Sequence, residues 1–114
     1  MFTTSLKRVP KSSIMAEFKC FVCARPVKTG EKFTFTRDGS VHFDCFVSKR
    51  RQEVSPEKQE DLRILANILD SELQHLLNIL ALQNTPESVK EKVRVKYKDI
   101  EKAAGETTRM ISEL

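Results

Sequence analysis

Three cysteines and one histidine carry the most concentrated chemistry in the chain. They read Cys20-Phe21-Val22-Cys23, then eighteen residues, then His42-Phe43-Asp44-Cys45, a C-x2-C-x18-H-x2-C arrangement. Thiolate and imidazole are the donors a tetrahedral structural zinc ion takes, and two donors two residues apart can curl round one ion within a tight turn. Cys20, Cys23, His42 and Cys45 are therefore the expected ligands of a Zn2+ ion. The competing readings are three ordinary buried thiols with a chance histidine, or a C-x-x-C redox pair. Redox chemistry needs a βαβ surround and a helix opening at the first cysteine, and Ala24-Arg25-Pro26 stops such a helix. Four protein ligands leave no position for water, so the ion is expected to be structural. No Ser/His/Asp set, Gly-rich phosphate loop or carboxylate pair stands elsewhere, and the chain is expected not to be an enzyme. His75, the second histidine, falls in a helical pattern with no ligand at metal spacing and reads as a surface or interface residue.

The ligand pairs need elements to hold them. Glu17-Phe18-Lys19 leads into the first pair, and Lys28-Thr29-Gly30 makes a turn. Glu31 to Thr36 alternates with the period of a strand, placing Phe33 and Phe35 on one side. Arg37-Asp38-Gly39-Ser40 supplies a hairpin turn in which Asp-Gly provides positive φ. Val41-His42-Phe43 starts the return strand, and the second ligand pair sits where a helix running to Gln52 begins. Knuckle, hairpin and a helix carrying the last ligand describe a treble-clef zinc finger over residues 16–54. So small a unit cannot bury enough apolar surface unaided, and the ion supplies the deficit. Phe18, Phe21, Phe33, Phe35, Phe43 and Phe46 are the expected core over the site, with a base-stacking platform as the alternative.

Residues 55–114 change character. Ser55-Pro56-Glu57 is a helix start, with Ser as cap and Pro at the first position. Leu62, Leu65, Leu69, Leu73, Leu76 and Leu80 then recur at helical spacing, and Ile64, Ile68, Leu77, Ile79 and Leu82 widen the stripe. Asn84-Thr85-Pro86-Glu87 repeats the start signal with Thr as cap. Val89, Val93, Tyr97, Ile100, Ala104, Ile111 and Leu114 mark a second helix, weakened at Gly105. The pair forms a long antiparallel α-helical hairpin. Its first helix has more apolar surface than the second can cover, so Leu77, Ile79 and Leu82 are expected to meet the finger or a second copy, giving a homo-oligomer through residues 56–83. The finger reads as a separate unit, and Cys20→Ser is expected to unfold it while the helices keep most of their signal.

The net charge of +4 is uneven. Residues 1–14 carry +3, residues 15–55 carry +3 and residues 56–114 carry −2. Lys7, Arg8 and Lys11 sit on a stretch without apolar period, read as a flexible basic arm over residues 1–15, or as lying upstream of a start at Met15. Arg25, Lys28, Lys32, Arg37, Lys49, Arg50 and Arg51 come from the finger, and if they share one face with the arm they could hold phosphates. The cations of 90–98 alternate with acids and read as a solvated helix face. No apolar run approaches a membrane span, and with every cysteine assigned to metal a reducing compartment, the cytoplasm, is expected.

At Cys20-Phe21-Val22-Cys23, Gly30-Glu31 and His42-Phe43-Asp44-Cys45-Phe46 the sequence resembles the first half of a LIM domain. That family continues at once into a second four-ligand site, for which no ligands remain here. The chain is similar to short uncharacterised archaeal proteins that carry one such finger followed by helices. Over residues 16–52 the resemblance implies a treble-clef finger with a binding role and names no partner. The expected whole is a small α+β, non-enzymatic zinc-binding protein attaching to nucleic acid or a ribonucleoprotein such as the ribosome. The alternative is a LIM-like protein–protein adaptor assembling through its Leu-rich helices. Convergence of the finger cations favours the first; their dispersal, with an exposed apolar patch on the first long helix, favours the second.

Overall fold

The computed structural model describes residues 18–82 and 84–114. The expected arm over residues 1–15, with Lys7, Arg8 and Lys11, lies outside them. Two short strands, β1 (Phe33–Thr36) and β2 (Gly39–His42), are followed by helices α1 (Phe43–Glu53), α2 (Gln59–Leu80) and α3 (Glu87–Ser112). The architecture is small α+β, a two-stranded hairpin with three helices, the long α2 and α3 packing antiparallel.

The hairpin is antiparallel with Phe33 opposite His42 and Thr36 opposite Gly39. Its turn centres on Arg37 and Asp38, one residue earlier than the Asp-Gly pair suggested. Asp38 N–H donates to Thr36 Oγ1 at 3.1 Å, and Gly39 closes the turn at φ 127°, a value that strains a side-chain-bearing residue. His42 is the last strand residue and the N-cap of α1. Strand therefore passes into helix inside the second ligand pair, and Cys45 stands in the first helical turn.

α2 begins later than its sequence signal. Ser55 precedes a single 3-10 turn, Pro56–Lys58, that feeds the α-helix at Gln59. Gln59 Nε2 donates back to the carbonyls of Arg51 (2.9 Å) and Val54 (3.1 Å), pinning the corner between α1 and α2. α3 runs through Gly105 without a break.

The core corrects the expected aromatic one. Cys20, Val41, Phe46 and Val54 are buried together with Leu62, Leu69, Leu73, Ala104 and Ile111, so finger and helical hairpin share one apolar centre. Of the six phenylalanines only Phe46 is buried within it, with Phe43 packed against its edge. Phe18 (43% exposed), Phe21 and Phe35 (54%) face outward. Phe18, Phe33 and Phe35 form an edge-to-face and stacked trio with centroids 5.1–5.9 Å apart. The physical reason is steric. β1 lies against α3 through its threonine face, where Thr34 Oγ1 and Thr108 Oγ1 approach to 2.7 Å, a separation that excludes an aromatic ring. Because Thr108 Oγ1 also bonds the Ala104 carbonyl at 2.9 Å, Thr34 is the donor of the shared bond. Thr107 and Thr108, both buried, were not part of the expected helix stripe.

Along α2, Leu62, Leu69 and Leu73 are buried as expected, whereas Leu80 at the helix end is 62% exposed. Leu77 faces the finger across a cleft of about 130 Å3 lined also by Phe33, Leu73 and Tyr97. Leu82 is 57% exposed, and Ile64 and Ile68 are 46% and 45% exposed on the outer side.

Candidate metal centre

The knuckle that presents Cys20 and Cys23 is held by backbone bonds. Ala24 N–H donates to the Cys20 carbonyl at 2.8 Å and Cys20 N–H to the Arg25 carbonyl at 2.9 Å. Ala24 adopts φ 66°, which turns the chain back after the second cysteine. Lys19 and Pro26 form an isolated bridge, and Val27 N–H reaches the Phe18 carbonyl at 2.7 Å, closing the base of the loop. Phe21 N–H donates to the Ser40 carbonyl at 3.0 Å and Ser40 Oγ to the Lys19 carbonyl at 2.7 Å, so the knuckle is stitched to β2. These bonds carry the first ligand pair onto the second.

The outcome is one cluster: Cys20, Cys23, His42 and Cys45 place their ligand atoms within 4.8 Å of one another. His42 Nδ1 faces the thiols, 3.4 Å from Cys23 Sγ and 3.9 Å from Cys45 Sγ. Its Nε2 lies 3.1 Å from Glu31 Oε1, and the same carboxylate oxygen accepts the Lys28 N–H at 2.7 Å. A carboxylate on the far ring nitrogen fixes both tautomer and orientation, leaving Nδ1 free to ligate. Glu31 thus completes the site from behind the histidine. Sequence reasoning did not assign it this role; its place beside Gly30, in the turn after the first ligand pair, was the available signal.

Electrostatics show a donor set under tension. Burial works to raise the Cys20 thiol, yet N–H groups of Cys23, His42 and Val22 directed at its sulfur prevail and hold it at about 6. Burial and the neighbouring thiols of Cys20 and Cys23 push Cys45 up to about 12. Burial would lower His42, but hydrogen bonds with Cys20, Cys23 and Glu31 outweigh it and raise the imidazole. Glu31 is lowered, first by the Lys28 N–H and then by His42. Charge on Cys20 thus makes a second thiolate at Cys45 costly, and a bound cation offsets that cost. The residues present fit a metal ion.

Six of the seven finger cations divide between two clefts. Arg25, Lys28 and Lys32 line a cleft of about 600 Å3 beside the cluster, together with Asp44 and Asp70. Arg37, Lys49 and Arg50 line a different groove of about 550 Å3, with Arg109, Glu53 and Glu113. Arg51 lines neither. Three of the seven are engaged in the fold. Lys32 Nζ bonds Asp70 at 2.6 Å and ties the finger to α2. Lys49 pairs with Glu53. Arg50 reaches Glu53 at 2.7 Å and donates through Nε to the Ile111 carbonyl at 3.2 Å, closing the end of α3. His75 is exposed on α2.

Fold and site together define a small α+β protein with a Cys3His cluster able to hold a metal ion. The chain belongs to the family described as "Uncharacterized protein conserved in archaea (DUF2175)", which matches residues 16–113. No curated protein and no solved structure matches it. Among the described residues, no helix is long and apolar enough to cross a membrane.

Proposed function

We propose that the chain is a non-catalytic, zinc-stabilised interaction module that assembles with proteins. The observation that carries this reading is a division of the surface. The finger cations split between two grooves and half-neutralise themselves in ion pairs, while Ile64, Ile68, Leu80 and Leu82 stand exposed on and just beyond α2. Exposed apolar surface of that kind marks protein contact.

Zinc is the ion the donors suit. Three thiolates and an imidazole are one of its structural sets, and bonds of about 2.3 Å to sulfur place tetrahedral donors roughly 3.8 Å apart. The observed spread, up to 4.8 Å, needs only a small contraction. Knuckle, hairpin and ligand-bearing helix follow in the order of a treble clef, a single-site relative of the LIM module. When bound, the ion supplies cross-linking and charge neutralisation. Cys20 and Cys23 hold it from the knuckle, His42 from the strand end and Cys45 from α1. With all four positions taken by protein, no water is presented for chemistry.

A second reading, attachment to nucleic acid or a ribonucleoprotein, draws support from the cleft that brings Arg25, Lys28 and Lys32 beside the metal cluster. Binding of the zinc-loaded chain to mixed RNA and duplex DNA across a salt series separates the two. The adaptor reading expects no binding even at low salt. Micromolar binding that weakens linearly in log–log with salt overturns it, and the slope counts the phosphate contacts.

A further inference from the structure

The outer side of α2 carries a second apolar stripe, distinct from the one that builds the core. Ile64, Ile68, His75 and Ile79 follow at spacings of four, seven and four, and on a 3.6-residue helix they share one face; Leu82 stands just beyond the end of α2. Ile64, Ile68, His75 and Leu82 are exposed and Ile79 half-covered. Glu72 lies at the edge of this stripe, its Oε1 buried and without a hydrogen-bond partner among the described residues.

The stripe is self-complementary in reverse. With a two-fold axis at the level of Leu73 and Gln74, antiparallel pairing of two α2 helices sets Ile68 opposite Ile79 of the second copy. Ile64 meets Leu82, and Glu72 faces His75. By symmetry each contact is made twice: apolar against apolar at both ends, carboxylate against imidazole at the centre. Past Leu80 the stripe opens into a depression of about 290 Å3 between the ends of α2 and α3, lined by Ile79, Leu82 and Val93. Ile64 of the second copy would enter it. Lys90 and Arg94 rim the same depression, paired along α3 with Glu87 and Glu91, and the acidic first turn of α2, where Glu60 pairs with Arg63 and Asp61 stands beside it, is the end that approaches them. The apolar residues, the central carboxylate–imidazole contact and the flanking charges select the same register.

We propose that two copies of this chain associate through α2 in an antiparallel, two-fold arrangement centred on reciprocal Glu72–His75 contacts. This rests on the reading of the chain as a protein-interaction module and names a second copy as the occupant of its outer helix face. The test is sedimentation of the full metal-loaded chain at roughly 100 µM, well above the dissociation constant of a modest interface. The wild type is expected at twice the 13.1 kDa of one chain. His75→Glu sets carboxylate against carboxylate twice, and Glu72→Lys removes both carboxylates that face the imidazoles. Each variant is expected to lose at least tenfold in association while keeping its far-UV spectrum. An equimolar mixture of the two sets the introduced lysine against the introduced glutamate at one contact, keeps the native Glu72–His75 pair at the other, and is expected to recover the dimer. Ile68→Asp, on the exposed surface, is expected to be monomeric alone and in either mixture.

A monomeric wild type overturns the proposal, as do charge variants that associate like the wild type or a mixture that stays monomeric. Those results leave the interaction-module reading standing, because its own failure is read from salt-dependent nucleic-acid binding.

Discussion

Replacing Cys20 by serine separates two accounts of how the molecule is built. If the finger were an independent unit, the variant would lose its metal and its hairpin while α2 and α3 persisted. The packing argues otherwise. Cys20 is 1% exposed and sits in one cluster with Leu62, Leu69, Leu73 and Ile111. Structural zinc contributes about 10–16 kcal/mol of apparent folding free energy in small fingers, against a typical net stability of about 5–15 kcal/mol for a domain. Loss of the ion therefore exceeds what the finger can absorb. Once it unfolds, Val41, Phe46 and Val54 leave the helices. If Leu62, Leu69 and Ile111 then lose half their burial, the hairpin forfeits roughly 2–5 kcal/mol. A two-helix hairpin has little to spare, since most helical stability comes from packing. Cys20→Ser is accordingly expected to bind less than stoichiometric metal and to lose most of its far-UV helical signal. Chelating the metal from the wild type should do the same, in one cooperative transition. Metal content by mass spectrometry and thermal melts by circular dichroism are the assays. Full metal content with unchanged stability would refute the ligand assignment. Metal loss with the helical signal and its cooperative melt intact would refute the shared core.

Three further outcomes follow from the contacts. Glu31→Ala removes the acceptor behind His42 Nε2 and is expected to weaken metal affinity by about 10–100-fold, measured by competition with a chromophoric chelator. Thr108→Val should cost more than Thr34→Val: it strands the buried Thr34 hydroxyl, about 1–3 kcal/mol, whereas Thr34→Val leaves Thr108 its bond to Ala104 and costs about 1 kcal/mol. Equal costs in urea denaturation would refute the expected asymmetry between the two hydroxyls. Glu53 is lowered below its ordinary 4.5 by its hydrogen bond with Lys49 and then by that with Arg50. A depressed carboxyl contributes stability that is fully present above 4.5 and lost as the pH falls through its lower folded value. The stability gap between wild type and Glu53→Gln should thus be full at neutral pH and close on the acid side. A gap independent of pH would rule out the ion pairs as its source.

The sequence by itself determined what depends on neighbours in the chain. C-x2-C and H-x2-C brought the four donors into close pairs because two residues suffice to curl round an ion, and the cluster formed as read. Phe33 to Thr36 alternated and became β1; the leucine period gave α2; Pro56 and Pro86 marked the approaches to the two long helices. Tertiary structure decided what depends on distant partners. Which face of β1 turns inward followed from Thr108, far along the chain, so threonine went in and the phenylalanines out. Glu31 became the histidine's support and Arg50 the cap of α3 through bonds that no local pattern announces. Lys32, Lys49 and Arg50, cations of the right kind for phosphate, were taken up by Asp70, Glu53 and the Ile111 carbonyl. Spacing encodes which donors can meet across a turn; it carries no record of which surfaces the folded chain leaves free, because that is settled only when each element finds what covers it.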